Sequence, residues 1–291
     1  MYELIKASDN DYYINCPAKI GLVRVSENEV ILIDSGNDKD AGKKLLKILE
    51  ANNWSLRAIF NTHSNADHIG GNKFLQEKTG CEIYAPGIEC DFTNHPVLEP
   101  SFLYGGYPCK DLRHKFLMAQ ESNAKPLTKD VLPEGFEIIN LPGHFFDMVG
   151  FKTPDDTVYL ADAMASRETL DKYKISVIYD VEAYIKTLEL MKTIKAKMFV
   201  PAHAAASEDV SELLQYNIDK VYEIADKIIE ICKEPMCFEK LLQRLFSDYE
   251  LKMTFEQYVL VGSTVRSYLS WLKDSEKLSL RIENNMLLWE T

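Results

Sequence analysis

No run of apolar residues in this 291-residue chain approaches the roughly 20 needed to cross a bilayer, so no membrane-spanning helix is expected. The six cysteines, Cys16, Cys81, Cys90, Cys109, Cys232 and Cys237, form no C-x-x-C pair, which argues against a thiolate zinc knuckle or a disulfide framework. Such scattered thiols suit a reduced, cytoplasmic protein. Neither a G-x-G-x-x-G loop nor a P-loop occurs, so a nucleotide cofactor has little support. Positive charge is scarce too: 33 Lys and Arg stand against 45 Asp and Glu, a formal net charge of -12. That balance repels phosphate backbones and makes nucleic acid an unexpected partner. The stretch Met1 to Lys6 lacks a basic segment followed by an apolar core, so no secretory leader is read. What remains, 46% hydrophobic and 27% charged, describes an ordinary globular protein long enough for one large domain or a domain with a smaller attachment.

Apolar β-branched residues at Ile20–Val25 and Glu29–Asp34 flank a polar Ser26-Glu27-Asn28 turn and predict a hairpin. Asp38 to Asn52 carries Leu45, Leu46, Ile48 and Leu49 at helical spacing. Leu56–Phe60 and Cys81–Ala85 read as short strands, with a helix over Asn72–Lys78 between them. Further strands are expected at Phe136–Leu141, Met148–Thr153, Thr157–Leu160 and Lys197–Val200, and a helix at Asp180–Lys195. Residues 87–132 are rich in proline, glycine and aromatics without a sustained period and predict an irregular lid or binding loop. Within it, Tyr104, Gly105, Gly106 and Tyr107 are expected to wall a pocket, while Arg113, His114 and Lys115 read as solvated surface.

A second character begins after Ala206. Ser207 with Glu208 and Asp209 predicts the capped start of a long helix to Cys232. Phe238–Phe246 is a second helix, and Thr254-Phe255-Glu256-Gln257 is a capping box opening a third. A hairpin around Glu283-Asn284-Asn285 follows. The expected organisation is therefore residues 1–206 and 207–291, the second winged-helix-like in outline. Residues 207–291 hold sixteen acidic and ten basic residues, so a DNA-reading face is absent. Closing a pocket or making a homo-oligomer contact is the better role for them.

The chemistry-bearing stretch is His63-Ser64-Asn65-Ala66-Asp67-His68-Ile69-Gly70-Gly71, a loop leaving the end of a strand. His144, Asp162 and His203 also fall where strands end. These six N and O donors suit zinc, manganese or iron, and they lack the thiolates of a closed structural zinc site. Asp34, at another strand tip, reads as a turn carboxylate. Asp147, His95 and His114 read as structural or surface residues.

The order H-x-N-x-D-H, then Gly-His, Ala-Asp and Pro-Ala-His resembles the metallo-β-lactamase superfamily over roughly residues 15–205. The resemblance implies an α/β fold, a four-layer αββα sandwich with metal loops along one edge, and a tail like that of the β-lactamase-like-2 proteins. It also implies that His63, Asn65 and His144 hold a first metal and that Asp67, His68 and His203 hold a second. Asp162 would bridge the two, and the resemblance makes Asp34 either the plain turn carboxylate or a residue that orients a ligand loop. Asn65 stands where the family has a histidine, and a neutral amide oxygen is the weaker ligand. One or two zinc ions are expected, the first site being weakened, with iron or manganese as alternatives. On this reading the chain is a hydrolase that directs metal-bound hydroxide at a small ester, thioester, lactone or lactam, with Asp67 and Asp162 as catalytic carboxylates. His63, His144 and Asp162 also match the two-histidine, one-carboxylate set of non-haem iron, so a mononuclear iron dioxygenase acting on a sulfur species is the alternative. A non-catalytic metal-binding or interaction protein and an RNA-processing nuclease are the remaining readings.

Overall fold

Alternating side chains along the β-branched runs dictate two buried faces, and each is covered. The computed structural model describes residues 2–291. The first sheet comprises β1 (Glu3–Lys6), β2 (Asp11–Asn15), β3 (Ile20–Arg24), β4 (Glu29–Ile33), β5 (Ser55–Phe60), β6 (Glu82–Ala85) and β7 (Ala124–Pro126), in that order across the sheet. Neighbours from β1 to β4 are antiparallel, and those from β4 to β7 are parallel. The second sheet, ordered β11-β10-β9-β8, comprises β8 (Glu137–Asn140), β9 (Val149–Lys152), β10 (Thr157–Ala165) and β11 (Met198–His203).

The period-2 pattern sorts the residues of each strand between layers. In β4, Ile31 and Ile33 face inward to meet Phe151, Tyr159 and Val200 of the second sheet. Val30 and Leu32 face outward against Leu45 and Leu49 of α1 (Lys39–Ala51) and Leu75. Between α1 and the next full helix lies a single turn, α2 (Ala66–Ile69), followed by α3 (Asn72–Thr79), which carries Leu75. This is a four-layer αββα sandwich.

Residues 87–132 depart from the irregular loop expected. They form α4 (Glu89–Asn94) and α5 (Leu98–Tyr104), and β7 extends the first sheet. The prolines do not break these elements: Pro100 sits in the first turn of α5, where no intrahelical N–H bond is lost, and Pro126 lies on an edge strand. Glu89, at the start of α4, is fully buried. Its carboxylate accepts from Ser64 N and Oγ in the histidine loop and from Asp147 N in the loop after β8, tying three segments together.

The chain continues through α6 (Arg167–Tyr173), α7 (Val181–Met191), α8 (Ser211–Ile231), α9 (Phe238–Asp248) and α10 (Phe255–Asp274) to a hairpin of β12 (Ser279–Glu283) and β13 (Met286–Glu290). Thr254 caps α10 through Gln257 N as the capping-box pattern predicts. Ser207 does not cap α8. It bridges to Phe199, its hydroxyl bonds Asp209 O, and the helix begins only at Ser211. Leu188 of α7, Leu214 and Ile218 of α8 and Val261 and Val265 of α10 share one core with Val158 and Leu160 of β10. The C-terminal helices therefore pack as part of the layer outside the second sheet. No helix among the described residues is long and apolar enough to cross a membrane.

Burial pushes the Glu89 carboxyl up to about 7, against the three bonds that favour its ionised form. A folded-state value above the unfolded one means the native protein binds the proton more tightly, so stability is lost as pH rises from about 4.5 towards 7. Glu89→Gln removes this dependence. The stability difference between variant and wild type, measured by urea unfolding, should shift in the variant's favour by about 3 kcal/mol across that interval. A difference independent of pH would show that Glu89 is ionised throughout.

Candidate metal centre

The histidine loop leaves β5 at its C-terminal end, beside the end of the parallel strand β4. Asp34 follows β4, is 3% exposed, and has a left-handed backbone (φ 66°). Its carboxylate accepts from Thr62 N at 2.8 Å and Thr62 Oγ1 at 2.7 Å, and lies 2.8 Å from His68 Nδ1. Thr62 Oγ1, having donated to Asp34, lies 3.0 Å from His63 Nδ1 and is free to accept from it. Asp34 thus orients His68 directly and His63 through Thr62. Gly70 lets the loop lie against the segment after β4, since a Cβ there would sit 2.1 Å from Asn37 O.

The other donors arrive from the second sheet. Gly143, at φ 121°, allows the loop after β8 to touch the start of α7, where a Cβ would meet Tyr184 N at 2.3 Å. His144 Nδ1 then bonds Val177 O at 2.9 Å. Asp162 does not end its strand as expected: β10 runs on to Ala165, and a register shift about Ala161, itself left-handed at φ 49°, re-aims the carboxylate into the cleft. β11 is the edge strand, which tolerates Pro201, and His203 at its tip bonds Pro17 O through Nδ1 at 3.0 Å.

All four imidazoles consequently use Nδ1 on a protein acceptor, which fixes the tautomer and turns Nε2 inward. Donor atoms of His63, His144 and Asp162 lie within 4.8 Å of one another, as do those of Asp67, His68 and His203. Asp162 reaches both groups: its carboxylate oxygens lie 3.1 Å from His68 Nε2, 3.3 Å from His203 Nε2 and 3.5 Å from His144 Nε2. Yet the buried His63 Nε2 has no hydrogen-bond partner, and His68 Nε2 and Asp162 Oδ1, though 3.1 Å apart, do not meet in hydrogen-bonding geometry. Orphaned polar atoms converging at such distances fit a cation as their missing partner.

The electrostatics agree. Burial, and next the neighbouring His68, keep His63 well below the usual imidazole value, and burial likewise lowers His144. Asp162 first, against burial, carries His203 up to about 10. Burial opposes the charge on His68, but Asp162, Asp67 and Asp34 together raise it well above its ordinary value. Asp67 and Asp162 are held low by His68 and His203 in spite of their burial. The carboxylates are thus ionised, and without a cation only protons on the rings balance them.

Asn65 sits among these groups. Its amide nitrogen donates to Glu99 Oε1 at 2.8 Å, which leaves Oδ1 facing His144 Nε2 at 3.1 Å. With His144 Nδ1 committed to Val177 O, two lone pairs oppose each other there, a contact that a cation or a proton resolves. The sequence pattern did not single out Glu99, Glu89 or Thr62. Glu99 is buried, and burial keeps its carboxyl well above the usual range despite the bonds from Asn65 and the Ala66 backbone. Asp147 accepts from Ile88 N and is structural. His114 approaches Glu256 at 3.6 Å, and neither it nor His95 belongs to either donor group. Tyr104 and Gly105 line a separate groove with Tyr179 and Trp271, whereas Tyr107 is 74% exposed. The cleft is walled instead by Leu103, Phe116 and Leu117 on one side.

Residues 14–203 match the family model described as the metallo-beta-lactamase superfamily. A hydroxyacylglutathione hydrolase of Erythrobacter litoralis is 44% identical over 57 residues, covering 18% of this chain and 23% of that protein. The beta-lactamase-like protein 2 homolog of Drosophila melanogaster is 24% identical over 208 residues, 69% of this chain and 63% of its own. In both comparisons the chain spans less than two thirds of the relative's length. A solved beta-lactamase domain protein from Burkholderia ambifaria has the same fold, with a TM-score of 0.74 at 12% identity over 99% of this chain and 93% of its own. The chain belongs to the metallo-beta-lactamase superfamily.

Proposed function

We propose that the protein is a metal-dependent hydrolase of an ester-type bond, a thioester, ester, lactone or lactam. The observation that carries this reading is the set of four imidazoles whose Nε2 atoms converge on Asp162 while His63 Nε2, His68 Nε2 and Asp162 Oδ1 make no hydrogen bond. Asp67, His68 and His203 would hold one cation, and His63, His144 and the Asn65 amide oxygen another, with Asp162 shared. Zinc suits these N and O donors best, with manganese or iron as alternatives. A divalent ion in such a cleft lowers the pKa of a water to about 7 and polarises a carbonyl oxygen. Asp162, its side chain only 12% exposed, orients the attacking water by accepting its hydrogen bond. Asp67 is 37% exposed at the mouth and is suited to return the proton to the departing oxygen or sulfur. The bond from carbonyl carbon to leaving group breaks, and water supplies both the acid hydroxyl and the leaving group's proton. Thioester hydrolysis is in keeping with the relatives named hydroxyacylglutathione hydrolases.

The group His63, His144 and Asp162 also supports a second reading, an iron dioxygenase acting on a sulfur species. Elemental analysis separates the two: zinc with ester turnover, or iron with oxygen uptake.

Asn65→His replaces an amide oxygen by an imidazole and should raise saturated metal occupancy from nearer one towards two ions per chain, measured by elemental analysis after desalting. Unchanged occupancy would count against Asn65 facing a metal. Glu99→Ala frees the Asn65 amide to rotate and should weaken the second-bound cation by about tenfold to a hundredfold, read by competition with a chromophoric chelator. Equal affinity in the variant would show that the amide needs no anchor.

A further inference from the structure

Two cavities open from the same point. One, of about 360 Å³, runs from His144, Asp162 and His203 past Met164, Tyr173, Ile175 and Val261. The other, of about 260 Å³, runs from His144 and Asp162 past Asn37, Glu99, Leu103 and Phe116. Val177 and Leu260 line both, so they flank the junction where the donor atoms converge. Both arms are mostly apolar, and they differ in the polar groups set among the apolar side chains. The first, built from β10, α6 and the segment after it and the first turns of α10, adds the hydroxyls of Thr169, Ser176 and Tyr184 and the amide of Gln257. The second adds the carboxylate of Asp67, the carboxyl of Glu99 and the amides of Asn37 and Asn65. Among the described residues, no lysine or arginine lines either arm. The basic residues nearest in sequence to Phe116 are engaged elsewhere, Lys115 with Asp38 at 2.7 Å and Arg113 over the Tyr107 ring.

We propose that the cleft takes a neutral acyl compound, with an alkyl chain of several carbons in the arm under α10 and an uncharged leaving group in the arm beside Glu99. The inference rests on the hydrolase reading for what happens at the junction, but the two arms are matters of binding alone. An alkyl chain gains by leaving water for the side chains of Met164, Ile175 and Val261. A leaving group bearing carboxylates finds no lysine or arginine in that arm to pair with, so its charges would be desolvated without a partner. Glutathione, with more carboxylates than amines, is therefore a poor fit despite the names of the relatives. A small neutral thiol or alcohol is a good one. Hydrolysis of such a compound adds water across the bond from acyl carbon to sulfur or oxygen, releasing the fatty acid and the neutral thiol or alcohol, with no redox partner required.

Non-hydrolysable thioethers test the binding directly. Ethyl and hexyl thioethers of N-acetylcysteamine and of glutathione are titrated into the metal-loaded full chain by calorimetry. Affinity should rise by at least about tenfold from ethyl to hexyl in the neutral series. The hexyl glutathione compound should bind at least about tenfold more weakly than its neutral counterpart. Phe116→Arg, at a position 62% exposed on the wall of that arm, should narrow the ratio of neutral to glutathione affinity by about threefold, whatever it does to both affinities together. A flat response to chain length, or equal or tighter binding of the glutathione compound by the wild type, overturns the proposal. Turnover is measured separately with the matching hexanoyl thioesters. Faster hydrolysis of the glutathione ester refutes the substrate class while leaving the hydrolase reading standing. Absence of turnover with the expected binding order refutes hydrolysis and upholds the cleft's preference.

Discussion

The carboxylate of Asp34, buried at the tip of β4, engages three groups of the loop after β5: Thr62 N, Thr62 Oγ1 and His68 Nδ1. A left-handed aspartate costs of order 1–3 kcal/mol, and it persists here because the parallel pairing of β4 with β5 over-determines it. The remaining rings depend on other elements in the same way: His144 on the carbonyl of Val177, His203 on that of Pro17. Only His63 is held by a neighbour in its own loop, Thr62, and that hydroxyl is itself fixed by Asp34. The four Nε2 atoms face one space only once both sheets, the segment after α6 and the turn before β3 have come together. The cleft is therefore a product of tertiary packing, and the unpartnered atoms within it fit a cation that this packing leaves room for.

Which parts of this were legible beforehand follows from how local each signal is. His63, Asp67 and His68 lie within one loop, and His144, Asp162 and His203 each end a run of β-branched residues, so order along the chain sufficed to group them. The same locality exposed β3, β4 and β5 and helices α1, α3 and α10. Glu89 and Glu99 carry no such mark. Each is an acid in the first turn of a short helix, an ordinary surface position, and only the tertiary packing buries it. Pro100 disguised α5, because a proline in a first turn and one that ends a helix look alike in sequence. β1, at the sheet edge, and β2 beside it carry mostly half-buried residues that dilute the alternation, and Ser207 does not cap because a bridge to Phe199 claims its backbone first.

Asn65 shows how a single departure from a pattern is absorbed structurally. A histidine there would bring its own lone pair. An amide has two faces, and presenting the oxygen requires something to hold the nitrogen. Glu99 supplies that acceptor from α5, an element outside the motif. The substitution and the buried acid are best understood as one unit, since a buried carboxyl with no donor opposite it would be costly on its own.

The donor atoms and the cleft walls come from different parts of the chain, and this separates chemistry from selectivity. The donor groups come from the loop and turn after β5, the loop after β8, β10 and the tip of β11, all between His63 and His203 and inside the stretch that the family model matches. The walls come from α5 and the segment after it, from the segment after α6, and from α10, which lies beyond that stretch. Membership of the superfamily therefore constrains the reacting centre and says little about what lies on either side of it. Leu260 and Val261 reach the junction because α10 shares its core with β10, so the apolar arm is fixed by the same packing that covers the second sheet. A chain with identical donors and a different C-terminal layer would keep the donor cluster and line the cleft differently.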